Sequence, residues 1–547
     1  MPRGGRARRR RARGRALALV LCSALLAAGC THRSSRSDEP GGASRAAPRP
    51  GGTLSIALVT PGSLDPAQAT SAERRLLVGN LFDSLTTLDA GGAVQPAAAT
   101  AWASDQTMRH WRFELRPGAL YANGQAVQAR DFKAAWERLA SSRTRPRPAS
   151  AAALLGLVDG YQAVEAGHAR AISGIAAPDQ ATLTVDLSQP FADFPALVAD
   201  PRLSPIPANA LARGAAAFAA RPLGNGPFML AKPASGKVLE LVRNPRYDGR
   251  AAYLDRVRVQ VVPDQQTAWL AFQHGQVSFA PVPLDQLAAA RAVAGASDGR
   301  RRPGLLEGPE LGTWSLGFDL DNSPASDPRW RRAVSLALDR SGIAAAFQGA
   351  VAPARGIVPS GVPGVPGGRQ AACSSCSHDP GQAGALLDLI GSSAREPVVM
   401  AVAATPFDRQ VGALIKAELA QAGLPVTIRE VEPTSVLSEE GREHAQLFGF
   451  GWAADYPRMD PFLAGDPARA EDPDVQRPIA QARAARDEAA RTRLYQQAEQ
   501  AVLSDLPVAP ILEYRHRAVL AAGIEGFDLT PWGAVDLGAC SLANPVK

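Results

Sequence analysis

Cysteine and histidine are both scarce, with five of the one and seven of the other spread over 547 residues. The histidines (His32, His110, His168, His274, His378, His444 and His516) are never paired four apart. Lacking H-E-x-x-H and a second pair of thiols, the chain has no four-ligand set for zinc, so neither metal nor cofactor is expected. Heptads, short internal repeats and any apolar run approaching the roughly 20 residues of a membrane span are missing too. Basic surface is absent in a less obvious way. Eight arginines (Arg3, Arg6, Arg8, Arg9, Arg10, Arg11, Arg13 and Arg15) crowd into residues 1–29, which hold no other charged side chain, so the formal +7 becomes −1 for residues 30–547. Nothing electrostatic is left to attract nucleic acid.

That arginine-rich start leads into an apolar run from Ala16 to Ala28, then Gly29 and Cys30. The run suits the apolar region of a secretory signal. Ala27, Ala28 and Gly29 before Cys30 resemble the bacterial lipoprotein signal, in which the cysteine is lipidated and becomes the first mature residue. An ordinary signal peptide cut near the same place is the alternative. Several acyl chains on Cys30 give stable anchoring to a membrane. Residues 30–50 are rich in Ser, Pro, Gly and Arg, too polar to offset the entropy of ordering, and read as a disordered tether. Among the other thiols, Cys373-Ser-Ser-Cys376 lies in a Gly/Ser/Pro loop and reads as a local disulfide; a redox pair would open a helix.

After the tether, strand-like runs (TLSIALV, HWRFELR, TLTVDL, KVLELVRN, RVRVQVV, WSLGFDL, PVVMAVAA, VTIREVE, AQLFGF) alternate with runs of helical periodicity. DFKAAWERLAS, RWRRAVSLALDRSGIAAAF, FDRQVGALIKAELAQAG and the long DVQRPIAQARAARDEAARTRLYQQAEQAVLSD carry that helical periodicity. Val411, Leu414, Ile415 and Leu419 share a helical face, Gly423 ends the helix in a left-handed conformation and Pro425 starts the next strand. Repetition of this step argues for α/β lobes, two or three domains in all.

Two motifs invite chemistry that their surroundings refuse. In FGFGWAADYPRMDP, Gly449, Gly451 and Ala454 fit a dinucleotide-binding spacing, but Pro457 and Pro461 oppose the helix that would face a phosphate and Asp455 would repel it. Gly295-Ala296-Ser297-Asp298-Gly299 matches a nucleophile elbow, which would make the protein an exported serine hydrolase with Ser297 as nucleophile. A helix-like run precedes it where the elbow needs a buried strand, so a loop serine is the preferred reading and no enzyme is expected.

Gly51 to Trp102, with its Leu64-Asp65-Pro66 turn and Leu81-Phe82-x-x-Leu85 element, resembles the start of the extracytoplasmic solute-binding proteins of ABC importers, family 5, and most of all their oligopeptide-binding branch. PLGNGPFML, LVRNPRYDG, DPRWRRAVSLALDR, HDPGQAGALL and GWAADYP follow in the family's order. The resemblance implies a two-lobed, type II periplasmic-binding-protein fold with central mixed sheets and an extra domain inserted in the first lobe. By correspondence lobe I takes residues 51–82, 208–311 and 515–547, the extra domain 83–207 and the other lobe 312–514. The implied activity is capture of oligopeptides and delivery to a permease, as a monomer. The resemblance also assigns the site: Asp455 receives the ligand α-amine, Gly451, Trp452 and Ala453 supply backbone and wall, and Thr70, Ser71 and Ala72 run beside the bound peptide. Arg442 or Arg458 could meet its carboxylate. A nickel complex, haem or an oligosaccharide as ligand, and a peptide-sensing role, are the alternatives within the family.

Overall fold

The computed structural model describes residues 48–148, 151–207, 209–212, 214–234, 236–294, 304–365, 373–464 and 472–544. The leader, Cys30 and Ser297 lie outside the described residues. The fold is α/β. Eleven strands form one mixed sheet, whose order runs Val426–Val431, Val398–Ala403, Leu447–Ala453, Gly304–Phe318, Val508–Leu520, Phe279–Pro281, Thr53–Val59, Arg256–Val262, Val238–Arg243, Phe228–Leu230, with Val351–Pro353 added alongside Val508–Leu520.

Parallel pairs lie on both sides of an antiparallel centre. On one side Thr53–Val59 pairs parallel with Arg256–Val262, and on the other Val398–Ala403 pairs parallel with both of its neighbours. Between them run the two longest strands, Gly304–Phe318 and Val508–Leu520, antiparallel to each other. Their register slips between Pro309 and Thr313, so Glu310, Leu311 and Gly312 bulge out of the ladder. Burial follows the same pattern: Val508–Leu520 is buried at both ends and half-exposed from Tyr514 to Arg517. The strand thus leaves one core, crosses an open space and enters another.

A separate four-stranded antiparallel sheet, Ala99–Ser104, His110–Leu115, Thr182–Asp186 and Ile175–Ala176, is covered by the helix Ala129–Ala140. Phe132, Ala135, Trp136 and Leu139 recur on its inner face, and each large side chain so buried stabilises by roughly 1.5–3 kcal/mol. Trp136 also donates its indole N–H to Leu203 O at 2.8 Å, which leaves no polar group stranded.

The segment PLGNGPFML owes its glycines to close approach. A Cβ on Gly224 would lie 1.8 Å from Leu81 O, and Gly226 N donates to that same oxygen at 3.0 Å. The intervening Asn225 accepts from Asp83 N at 3.0 Å. These contacts clamp the C-terminal end of the helix Ala72–Leu81.

Two of the periodic runs are broken, and one expectation needs correction. RWRRAVSLALDRSGIAAAF is two helices, Pro328–Ala337 and Arg340–Ala345, because Asp339 accepts from Ser341 N and starts the second. The long run after Asp472 breaks likewise into Pro473–Ala484 and Glu488–Asp505, where Asp487 caps Ala490 N at 2.7 Å. Pro461 does not forbid a helix: it stands in the first turn of Asp460–Leu463, where its missing N–H costs nothing. Gly423 has φ +79°, the left-handed helix end read from the sequence.

Candidate ligand-binding cleft

Two cavities share a wall. The smaller, about 250 Å³, lies at the strand crossing and is lined by the bulged Glu310, Leu311 and Gly312, by Tyr514 to Ala518, and by Ala72, Glu73, Ala453 and Ala454. The larger, about 590 Å³, adds Asp83, Tyr247, Asp200, Asp455 and Tyr456. Arg75, Leu76 and Trp532 belong to both.

The residues singled out from the sequence divide between these walls and the scaffold. Gly451, Trp452 and Ala453 end the strand Leu447–Ala453, opposite Trp314, Thr313 and Gly312. Ala453 lines the smaller cavity. Trp452 turns its indole N–H to Pro461 O at 3.1 Å and so pins the loop that follows. A Cβ on Gly451 would stand 2.4 Å from the Tyr514 hydroxyl, so only glycine lets that ring approach. Ala72 lines the smaller cavity as the first residue of its helix, while Ser71 caps that helix by accepting from Arg74 N at 3.3 Å. Thr70 precedes the cap, its N–H bonded to Gln68 O at 2.9 Å.

Asp455 reaches the larger cavity already engaged. Its Oδ1 lies 2.9 Å from Nη1 of Arg202, with 25% of the Asp455 side chain exposed against 1% for Arg202. Asp200 grips the same guanidinium from the other side, at 2.8 and 2.7 Å. Burial opposes the charge on Arg202, but the two carboxylates outweigh it and raise its pKa. Sequence reading did not single out Asp200 or Arg202; the available signal was a charged pair inside a largely apolar stretch.

Arg75 is the opposite case. Among the described residues its side chain makes no hydrogen bond and no ion pair, and its Nε is buried without a partner. Burial lowers its pKa against the distant attraction of Asp200 and Asp455. Arg517 resembles it: Nε is buried and unpartnered, while Nη1 reaches only Ala350 O and Arg515 O at 3.4 and 3.3 Å. His516 Nδ1 is unpartnered as well, and burial holds that imidazole below its usual pKa, hence neutral near pH 7. Burial also raises the pKa of Glu310, against the pull of Arg517. Sequence reading missed Arg75 and Arg517; three cationic or imidazole side chains in a row, Arg515 to Arg517, within a strand were the available sign.

Of the two arginines considered for a ligand carboxylate, Arg458 pairs with the buried Asp193 at 3.3 Å and donates to Gly92 O at 3.0 Å. Arg442 lies over the Phe448 ring, 5.1 Å from its centre, with its Nε buried and unpartnered, and lines neither cavity. Asp460, by contrast with Asp455, is fully enclosed: Arg483 meets both its oxygens, at 2.7 and 3.0 Å, and the Tyr456 and Tyr495 hydroxyls donate at 3.2 and 3.1 Å. Cys373 and Cys376 are bridged, and Cys540 is a buried free thiol. Among the described residues no group of three or more His, Cys, Asp or Glu is placed to hold a metal ion, and no helix is long and apolar enough to cross a membrane.

Residues 93–468 match the family described as "Bacterial extracellular solute-binding proteins, family 5 Middle". The chain is 27% identical over 486 residues to the "Probable deoxycholate-binding periplasmic protein YgiS" of Escherichia coli (strain K12), covering 86% of this chain and 89% of that one. It is 26% identical over 489 residues to the "Periplasmic murein peptide-binding protein MppA" of the same organism, with the same two coverages of 86% and 89%. Among solved structures, the unliganded open form of MppA superposes with a TM-score of 0.77 at 23% identity, covering 90% of this chain and 97% of that one. OppA of Burkholderia pseudomallei gives 0.68 at 25%, over 90% and 99%. The architecture is therefore the two-lobed fold of periplasmic binding proteins.

Proposed function

Because the chain belongs to the bacterial extracellular solute-binding proteins of family 5, we propose that it captures oligopeptides in the interlobe cleft and delivers them to an ABC permease in the cytoplasmic membrane. It is a binding protein, not an enzyme, as its relatives are. It works outside the cytoplasm as a monomer, held to the cell envelope by lipid on Cys30.

One observation carries the reading: the strand Leu447–Ala453 ends at the cavity wall and the next turn brings a quarter-exposed carboxylate, Asp455, to the adjoining space. A peptide that pairs its main chain with such a wall gains affinity common to every sequence. Bridging water in a cavity of about 590 Å³ accommodates differing side chains. The α-ammonium, enclosed when the lobes close, meets Asp455, whose other charge partner is Arg202. An unpaired buried ammonium would cost several kcal/mol. Gly451, Trp452 and Ala453 form the wall, and Thr70, Ser71 and Ala72 edge it from the first lobe. Calorimetry of residues 30–547 against a mixed peptide pool and its N-acetylated counterpart tests this: binding should fall on acetylation, and equal binding removes the role given to Asp455.

A second reading, a non-peptide acidic solute, is favoured by a specific observation. Arg202 neutralises much of the attraction Asp455 would offer an amine, and a relative at 27% identity is named for a bile acid. Mass analysis of whatever copurifies separates the two.

A further inference from the structure

Every strongly buried arginine outside the cleft has carboxylate or carbonyl partners. Arg202 is held by Asp200 and Asp455, Arg331 by Asp505 and three carbonyl groups, Arg340 by the carbonyls of Ser335 and Pro510. Arg429 and Arg442, half-buried with an unpartnered Nε, still have the Gly441 carbonyl and the Phe448 ring, whereas the half-buried Arg75 has no side-chain partner. Its side chain projects from a helix clamped at its far end, into the wall that the two cavities share, and meets no acceptor among the described residues. Arg74, its neighbour in sequence, shows that the backbone there offers acceptors: it bonds Pro61 O and Gln68 O. Across the smaller cavity Arg517 brings a second guanidinium with an unpartnered Nε, and His516 an unpartnered Nδ1. A guanidinium carries five donors in a fixed fork that fits a carboxylate bidentately. The buried Nε of Arg75 lacks an acceptor, which carries a cost that an arriving anion would remove.

We propose that the smaller cavity is a carboxylate subsite, in which Arg75 and Arg517 take the carboxylate of the bound solute between them. His516 lines the same wall, its imidazole held below its usual pKa by burial. The rest of the wall sets Leu58, Leu76, Phe279, Val282, Leu311 and Leu529 beside two carboxylates, Glu73 and Glu310, and burial raises the pKa of Glu310 against the pull of Arg517 and Arg75. The subsite rests on the peptide reading only for the identity of the solute: with a peptide, the carboxylate is the C-terminal group, or an acidic side chain, lying beyond the strand end Gly451–Ala453.

The test uses residues 30–547 as purified after removal of bound solute, with three probes measured by calorimetry: a pool of free-terminus peptides of about two to five residues, the same pool amidated at the C-terminus, and octanoate as a carboxylate with no amine. The wild type should bind the free pool, lose roughly tenfold or more on amidation, and Arg75→Gln should abolish that difference while the thermal midpoint of the solute-free protein rises. Because Arg75 holds nothing in the fold, the variant folds, and Arg517→Gln gives an independent check in the same direction. Equal binding of free and amidated pools overturns the subsite and leaves the peptide reading standing. Binding of octanoate, lost in Arg75→Gln, with no binding of either pool supports the subsite and overturns the peptide reading. Failure of all three probes overturns both.

Discussion

Asp455 and Asp460 stand in one loop after the same strand and meet different surroundings. Asp460 faces away from the cleft, 4% exposed, with Arg483, Tyr456 and Tyr495 using both its oxygens. Asp455 faces the cavity, a quarter exposed, and shares one partner with Asp200. The wider regions differ in the same way. Behind the loop, Asp193 is matched by Arg458 and Arg491 at 3.3 and 3.1 Å; in the cleft, Arg75 and Arg517 are left with unpartnered Nε groups, as Arg429 and Arg442 are elsewhere, but of these four only Arg75 has no other side-chain partner among the described residues. Charges that close among themselves hold the segments together, and charges left open mark where a solute completes the set.

Breaking the closed set should cost most. Asp460→Ala strands the Arg483 guanidinium and two tyrosine hydroxyls, and is expected to lower unfolding free energy by about 3–5 kcal/mol in chemical denaturation. Asp83 comes next. It lies in the wall of the larger cavity, where burial pushes its carboxyl up to about 6 from 3.8, against the pull of Arg116 and the Tyr247 hydroxyl. The folded state therefore holds this proton more tightly than the unfolded chain, so the group's contribution to stability is greatest at low pH and falls as pH rises from about 4 through 6. Asp83→Asn should remove that slope, on the order of 1–3 kcal/mol across the window, read as the difference between variant and wild-type denaturation curves.

An open charge predicts the reverse sign. Arg75→Gln removes a desolvated cation with no partner and should raise the stability of the solute-free protein by roughly 1 kcal/mol, a modest gain because the side chain is only half-buried. Ser71→Ala should cost about 1 kcal/mol or less through the lost helix cap, with little change in affinity. Ser71 edges the wall with its backbone while its hydroxyl is spent on the cap, so a large affinity loss would show the hydroxyl itself meeting the ligand.

Much of the fold was legible because period-2 and period-3.6 patterns survive burial: TLSIALV is the strand Thr53–Val59, and Val411, Ile415 and Leu419 are the buried face of the helix Pro406–Gln421. Helix breaks at Asp339 and Asp487 were missed, since an aspartate inside a periodic run reads as a surface residue until its side chain is seen capping a backbone N–H. In the cleft, GWAADYP gave Asp455 and the strand end. It could not give Arg202, which comes from a segment more than 200 residues earlier, nor Arg75, whose importance lies in a missing partner. A sequence names the charges but not which of them fail to meet.

Most direct is mass spectrometry of the solute released by denaturing the protein purified from cells, wild type beside Arg75→Gln. The expected result is short peptides with free termini in the wild type and their depletion in the variant. Equal solute content in both, or a solute with no acidic group, would contradict the assignment of the open charges to the ligand.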